Sequence, residues 1–305
     1  MRYEKLLQFA REEYIPMEEQ VSMAAHTTFR VGGPARLFAP LTNTLQLIAL
    51  VAFCEGHDLK YTVIGNGSNL LVPDAGYDGL VIRTPEEKPV WHEDGCTVTA
   101  ASGYAMTRLS AEAAKRGLAG LTFAQGIPGT VGGAVVMNAG AYGGQIADTL
   151  VSTRCITPEG LCTLTGEEHK LSYRHSVYAE HPGWVCCEAT FCLQPGDREQ
   201  LAAEMADFAQ RRRDKQPLEW PSAGSTFKRP EGYFAGKLIE DAGLKGFAVG
   251  GAQVSEKHAG FVINRGNATC EDAVTLEQNV RTRVFEQFGV TLTPEVRLLG
   301  TSWNN

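Results

Sequence analysis

The 33 glycines of this 305-residue chain are bunched, and the bunching restricts the fold more than any other feature. Glycine reaches positive φ without steric cost and lets backbone come close to another backbone or to a flat ligand. The first cluster, Gly65-Asn66-Gly67-Ser68-Asn69, follows the β-branched run Tyr61-Thr62-Val63-Ile64. Consecutive backbone N–H groups in such a turn can face inward as an anion-binding nest. The same letters also spell a tight turn between two strands, and both readings stay open. Two common nucleotide sites are excluded. No Gly-x-x-x-x-Gly-Lys-Ser/Thr string occurs. A dinucleotide fingerprint of the Gly-x-Gly-x-x-Gly type needs a third glycine opening a helix, and Leu70 stands in its place.

The second cluster runs from Gly126 to Gly144 and holds seven glycines in 19 residues. A plain loop would be polar, but here Gly129, Thr130, Gly132 and Gly133 lead into Ala-Val-Val-Met and then Asn138-Ala139-Gly140-Ala141-Tyr142. Small apolar residues suit close approach to a ligand, or a glycine-packed helix contact. Two such clusters, each beside strands, favour a long ligand with phosphates in its middle. A dinucleotide fits.

Composition limits the alternatives. Hydrophobic residues make up 43% and charged residues 21%, which leaves ample apolar material for a core and excludes a disordered or collagen-like chain. The length suggests two domains. A net charge of −7 makes nucleic acid a poor partner. The longest apolar runs, such as LQLIALVAF, stop short of the ~20 residues that span a bilayer. The N-terminus does not read as a signal peptide. Eight cysteines (54, 96, 155, 162, 186, 187, 192 and 270) include no Cys-x-x-Cys pair, so reduced thiols and no metal site are expected. These features point to a cytoplasmic protein.

Periodicity predicts helices at 3–14, 43–57, 105–116, 197–213, 234–242 and 271–287. Asn43 or Thr44 caps the second of these and Gly56 closes it, while Gly117 ends the third. Strands are expected at 79–83, 97–102, 151–157, 184–193, 261–264 and 294–299. KQPLEWPSAGSTFKRP, with three prolines, reads as a loop or a boundary. Short strands mixed with helices argue for an α+β fold.

Several polar residues are chemical candidates. Ser225, in Ser-Ala-Gly-Ser-Thr-Phe-Lys, lacks a Gly-x-Ser-x-Gly context for a nucleophile and reads as a positioned proton donor or an inert loop serine. Arg174, after Tyr173, can grip a carboxylate in bidentate fashion or lie on the surface. Glu295 opens the last strand and can be an exposed strand-end carboxylate. Arg211, Arg212, Arg213 and Lys215 end a helix, where cations complement its dipole or bind phosphate. His258 stands in Ser-Glu-Lys-His-Ala-Gly.

The order of the motifs is more specific than any one of them. HTTFRVGG at 26–33, GNGSNLL, GIPGTVGGAVVMNAGAYG, YR, GSTFK, AGKLIEDAGLKG, HAGFVIN and PEVRLLG follow one another over residues 26–300. In this the chain resembles the UDP-N-acetylenolpyruvoylglucosamine reductase family, the flavoenzymes of peptidoglycan precursor synthesis, which serves cell-wall biogenesis, cell shape and division. The resemblance implies an FAD-binding domain of the vanillyl-alcohol-oxidase (PCMH) type over 1–195 and a smaller α+β substrate-binding domain over 196–305. The last strand, about 294–300, would bring Glu295 to the active site. It implies FAD as cofactor, NADPH as donor and UDP-GlcNAc-enolpyruvate as substrate, reduced to UDP-N-acetylmuramate. Hydride would pass from flavin N5 to C3, and Ser225 would give the proton to C2. By resemblance, the FAD-binding residues are Gly65, Asn66, Gly67, Ser68, Asn69, Gly129, Thr130, Gly132, Gly133, Asn138, Ala139 and Gly140. The catalytic trio is Arg174, Ser225 and Glu295. Tyr142, Arg213, Lys215, Lys228, Arg229 and His258 are the expected substrate contacts. The family has a longer form whose inserted loop carries a tyrosine over the substrate. This chain resembles the shorter form, and Arg229 stands where the longer form has asparagine.

Overall fold

A computed structural model describes residues 2–300. The chain forms two compact units that interleave in sequence. Among the described residues, unit 1 comprises 2–19, 37–66 and 79–210, and unit 2 comprises 20–36, 67–78 and 211–300. Both mix helices and sheets, so the fold is α+β.

Unit 1 is built around a five-stranded sheet. Its strands lie in the order Gly160–Thr165, Leu150–Thr157, Val185–Cys192, Thr97–Ala101, Val90–Trp91, every pair antiparallel. Alternation along the strands turns Val98, Ala100, Cys155, Ala189 and Phe191 into the core. Leu109 and Ala113 of helix Met106–Lys115 join the same core. Arg116 caps the end of that helix, and Gly117 follows with φ of 75°. A second core gathers Leu6 and Ala10 of helix Arg2–Glu12, Leu47, Leu50 and Val51 of helix Thr44–Gly56, and Leu80 and Ile82. The side chain of Asn43 accepts the N–H of Gln46 at 2.9 Å and caps the latter helix. Gly56 is its last helical residue, and the cap proper is His57.

Unit 2 folds around a four-stranded antiparallel sheet ordered Ser222–Ser225, Phe261–Asn264, Ala252–Val254, Ala248–Val249. Helix Cys270–Phe288 buries Ala273, Leu276, Val280 and Val284 in this unit's core, together with Leu238 and Ile239 of helix Ala235–Asp241. Thr269 and Asp272 form a capping box at the start of the long helix, and the Asp74 carboxylate accepts the next two N–H groups, from Cys270 and Glu271. The segment read as a loop is not one throughout. Ser222–Ser225 pairs with Phe261–Asn264 through an irregular register, because Gly224 takes φ of 80°. The expected strand at 294–299 shortens to Arg297–Leu298, which pairs in parallel with Leu70–Leu71. Among the described residues no helix is long and apolar enough to cross a membrane.

Glu277 is buried in unit 2, and its Oε2 has no hydrogen-bond partner. Burial drives its pKa well above the ordinary carboxylate value, with the Arg281 charge acting in the opposite direction. A carboxyl raised on folding takes up a proton, so stability falls as pH rises from about 4.3, the unperturbed value, through the folded pKa. Glu277→Gln, which cannot ionise, should therefore be more stable than the parent at pH 8, and the gap should close towards pH 4. Denaturant midpoints across pH check this; a variant less stable at pH 8 would contradict it.

Candidate functional site

The two glycine clusters are far apart in sequence, and unit 1 brings part of each together. The Asn66 side-chain amide donates to the Pro128 carbonyl at 3.1 Å. A Cβ on Gly65 would stand 2.3 Å from Thr130 Oγ1, so only glycine permits this approach. Thr130 caps the short helix Val131–Val136. The N–H of Val131 goes to the Tyr104 carbonyl and that of Gly132 to the Ser102 carbonyl, each at 2.8 Å, while Gly133 N–H meets Thr130 Oγ1 at 3.4 Å. The helix start is thus fastened to the chain rather than left open for an anion. Its glycines supply bare surface instead. Gly132 is pressed on Ser102, whose Cβ would lie 2.7 Å from an added Cβ. Gly133 is exposed, and an added Cβ would meet nothing nearer than Thr130 Oγ1 at 3.6 Å.

Arg174 lies on the loop between the one-turn helix Gly166–His169 and helix Val177–Glu180. Its backbone is left-handed, with φ of 54°, and its guanidinium donates to the Gly140 carbonyl at 3.2 Å. Buried Asn138 donates to the Ser172 carbonyl at 3.0 Å and accepts the Ala147 N–H at 3.0 Å. Ser176 Oγ donates to the Val136 carbonyl at 2.7 Å. The second glycine cluster and the arginine loop therefore form one hydrogen-bonded body. Ala139 continues it, taking the Ile146 N–H on its carbonyl. Tyr142, also left-handed at φ of 54°, lies flat on Phe208, with ring centroids 4.3 Å apart.

Unit 2 holds the remaining candidates. Gly67, at φ of 60°, fits beneath the His26 carbonyl, where a Cβ would come within 2.2 Å of the oxygen. Ser68 follows in a turn, half-buried. Asn69 donates to the carbonyl of Glu295 at 3.0 Å, and the Glu295 N–H donates to the Thr226 carbonyl at 2.8 Å. Thr226 follows exposed Ser225, so within this unit Ser225 and Glu295 stand on adjacent segments. Lys228, one step further, donates its N–H to the Thr293 carbonyl. Arg229 is turned aside: its Nε donates to the Tyr233 carbonyl and its guanidinium lies 3.9 Å from the Phe234 ring centre. The ring of His258 lies against Gly236 and Gly260, and its Nδ1 accepts the Gly260 N–H at 3.1 Å. Burial lowers its pKa, which favours the neutral imidazole. Arg213 and Lys215 are exposed at the end of their helix, and Lys257 donates to the Arg213 carbonyl.

Sequence reasoning missed Thr28 and His26 as partners of the first cluster. Thr28 donates its N–H to the Gly67 carbonyl and its hydroxyl to the Ser222 carbonyl. It also missed Asn138 as a structural tie; an asparagine between two small apolar runs is the signal that could have found it.

Residues 34–166 match a family model described as "FAD binding domain", and 216–299 match one described as "UDP-N-acetylenolpyruvoylglucosamine reductase, C-terminal domain". UDP-N-acetylenolpyruvoylglucosamine reductase from Lachnoclostridium phytofermentans is 49% identical over 287 residues, covering 92% of each chain. The protein of the same name from Agathobacter rectalis is 50% identical over 291 residues, covering 91% of this chain and 92% of its own. The crystal structure of the Thermus caldophilus reductase superposes with a TM-score of 0.80 at 33% identity, over 93% of this chain and 99% of the other. Alkyldihydroxyacetonephosphate synthase, at 16% identity and a TM-score of 0.50 over 63% of this chain and 41% of its own, shares the fold alone.

The residues of unit 1 fit FAD. Gly133 leaves open surface that no part of the chain uses, and buried Ser102 Oγ, beside Gly132, has no partner. Gly133→Ala should fold as the parent does, since its methyl group meets nothing closer than 3.6 Å, yet hold FAD at least about tenfold more weakly. Thermal unfolding of the flavin-free protein and FAD titration separate the two effects. Unchanged FAD affinity would remove this surface from the cofactor site.

Proposed function

Because this chain belongs to the UDP-N-acetylenolpyruvoylglucosamine reductase family and is an FAD-dependent reductase of that activity, we propose that it oxidises NADPH to reduce the enolpyruvyl group of UDP-GlcNAc-enolpyruvate, giving UDP-N-acetylmuramate in the cytoplasm. We assign the cofactor to the region 1–195 and the substrate to 196–305, with Glu295 returned to the active site by the last segment. The observation that carries the residue roles is the tie between Ser225 and Glu295 through Thr226, with Asn69 of the first glycine cluster on the same carboxylate residue's backbone.

FAD, when bound, supplies the hydride for C3 of the substrate. The remaining work is that of the chain. Reduction at C3 builds negative charge at C2, which spreads into the adjoining carboxylate. Arg174 grips that carboxylate and opposes the charge, the kind of preorganised electrostatic stabilisation that dominates many active sites. Glu295 is placed beside the same group, where its carboxyl, in the protonated form, donates a hydrogen bond to it. Ser225 gives its hydroxyl proton to C2. It stands on an irregular edge strand, after Gly224 in a positive-φ conformation, and is an exposed residue. Lys215, Lys228, Arg213, Arg229, Tyr142 and His258 are proposed substrate contacts. His258, neutral and buried on one side, suits hydrogen bonding more than charge pairing.

An oxidase reading is the alternative from the same fold. It lacks a use for GSTFK and PEVRLLG, which carry Ser225 and Glu295.

Ser225→Ala should leave flavin reduction by NADPH unchanged and slow reoxidation by UDP-GlcNAc-enolpyruvate by about 10²–10⁴-fold, the usual worth of a positioned proton donor. Stopped-flow absorbance of the two half-reactions measures both. Equal loss in both would refute the proton-donor role.

A further inference from the structure

One buried hydroxyl holds both ends of the arginine loop. Thr153, on strand Leu150–Thr157, lies inside the core of unit 1, where Thr153 and His169 are 1% exposed and Tyr178 is 3% exposed. His169 ends the one-turn helix before the loop, and Tyr178 lies in the first turn of the helix after it. Thr153 Oγ1 lies 3.0 Å from His169 Nε2 and 2.7 Å from the Tyr178 hydroxyl.

The chemistry of the partners fixes the direction of every proton. His169 Nδ1 lies 3.1 Å from the Gly166 carbonyl, which can only accept, so Nδ1 carries the hydrogen. In the neutral ring Nε2 then accepts. Thr153 must donate to it, and so accepts from the Tyr178 hydroxyl. The sequence Tyr178 to Thr153 to His169 to Gly166 is thus a single ordered chain of donors with no unmet member. Such networks are rigid when complete and costly when one link is lost.

Between these anchors the loop has little else that is regular. Ser172 and His175 exchange backbone hydrogen bonds at 3.2 and 3.1 Å, and Arg174 sits between them with φ of 54°. A left-handed arginine persists only where its surroundings over-determine it. The ties to Asn138, Val136 and Gly140 fix the loop's middle and its far side. The Thr153 network fixes its two ends.

We propose that the Thr153 hydroxyl, acting through His169 and Tyr178, is a positioning group that holds the Arg174 guanidinium in its working place. This rests on the role given to Arg174 above. Thr153 touches no reacting atom.

Thr153→Val removes the hydroxyl at nearly constant shape, Tyr178→Phe keeps the Thr153–His169 link but removes the Tyr178 hydroxyl together with its contacts to the Cys155 and Cys186 thiols, and Thr153→Ser restores the hydroxyl. In the flavin-loaded protein, the amides of Ser172 and His175 should exchange with solvent about tenfold faster in the Val and Phe variants, while those of strand Val185–Cys192 keep their rates and the Ser variant matches the parent. Substrate-driven flavin reoxidation should fall on the order of 10- to 100-fold, with reduction by NADPH and the flavin spectrum unchanged. Unchanged exchange at Ser172 and His175, acceleration spread evenly over the sheet, or unaltered reoxidation would each overturn the proposal. Arg174→Ala is measured alongside. If it too leaves reoxidation intact, the role of Arg174 itself has failed, and the exchange rates still decide whether Thr153 anchors the loop.

Discussion

Gly65 and Thr130 approach so closely that any side chain on Gly65 would collide with the threonine hydroxyl. Much of the geometry of unit 1 depends on that contact. It brings Asn66 to Pro128, and Thr130 in turn caps the helix that presents Gly132 and Gly133. The helix is short, and its first N–H groups are already bonded to Ser102 and Tyr104. What the glycines offer a cofactor is therefore close access to backbone, not a helix dipole. This separates the site from the phosphate loops and dinucleotide folds that use a free helix N-terminus.

The chemistry is distributed differently. Charge-bearing residues are few and are held by backbone. Arg174 is fixed through its own φ, the Gly140 carbonyl and the buried chain from Tyr178 to His169. Glu295 is fixed through both of its peptide groups, one to Thr226 and one to Asn69. Positioning by main chain costs little side-chain entropy and leaves the functional ends of the side chains for substrate.

Much of this was legible in the sequence, for identifiable reasons. Helix Thr44–Gly56 announced itself by Asn43, and helix Met106–Lys115 by Gly117, because caps are local chemistry. The strand Ser222–Ser225 was hidden, because prolines on either side and Gly224 inside it read as a loop, and only its partner Phe261–Asn264 makes it a strand. Thr28 and Thr153 were hidden for the same reason. Their partners lie 16 to 194 residues away, which no local pattern records, whereas Asn138 left a local sign in its place between two small apolar runs. The interleaving of the two units is likewise a property of packing, not of a linker that composition could mark.

Whether this chain passes electrons through FAD to an enolpyruvyl ether is decided in a single anaerobic turnover. The purified protein's flavin is reduced with NADPH, the excess is removed, and UDP-GlcNAc-enolpyruvate is added in the absence of oxygen. The flavin absorbance should return in full, and one equivalent of a product heavier than the substrate by two hydrogen atoms should appear in the mass spectrum. A flavin that stays reduced until air is admitted, with the substrate recovered unchanged, would contradict this transfer.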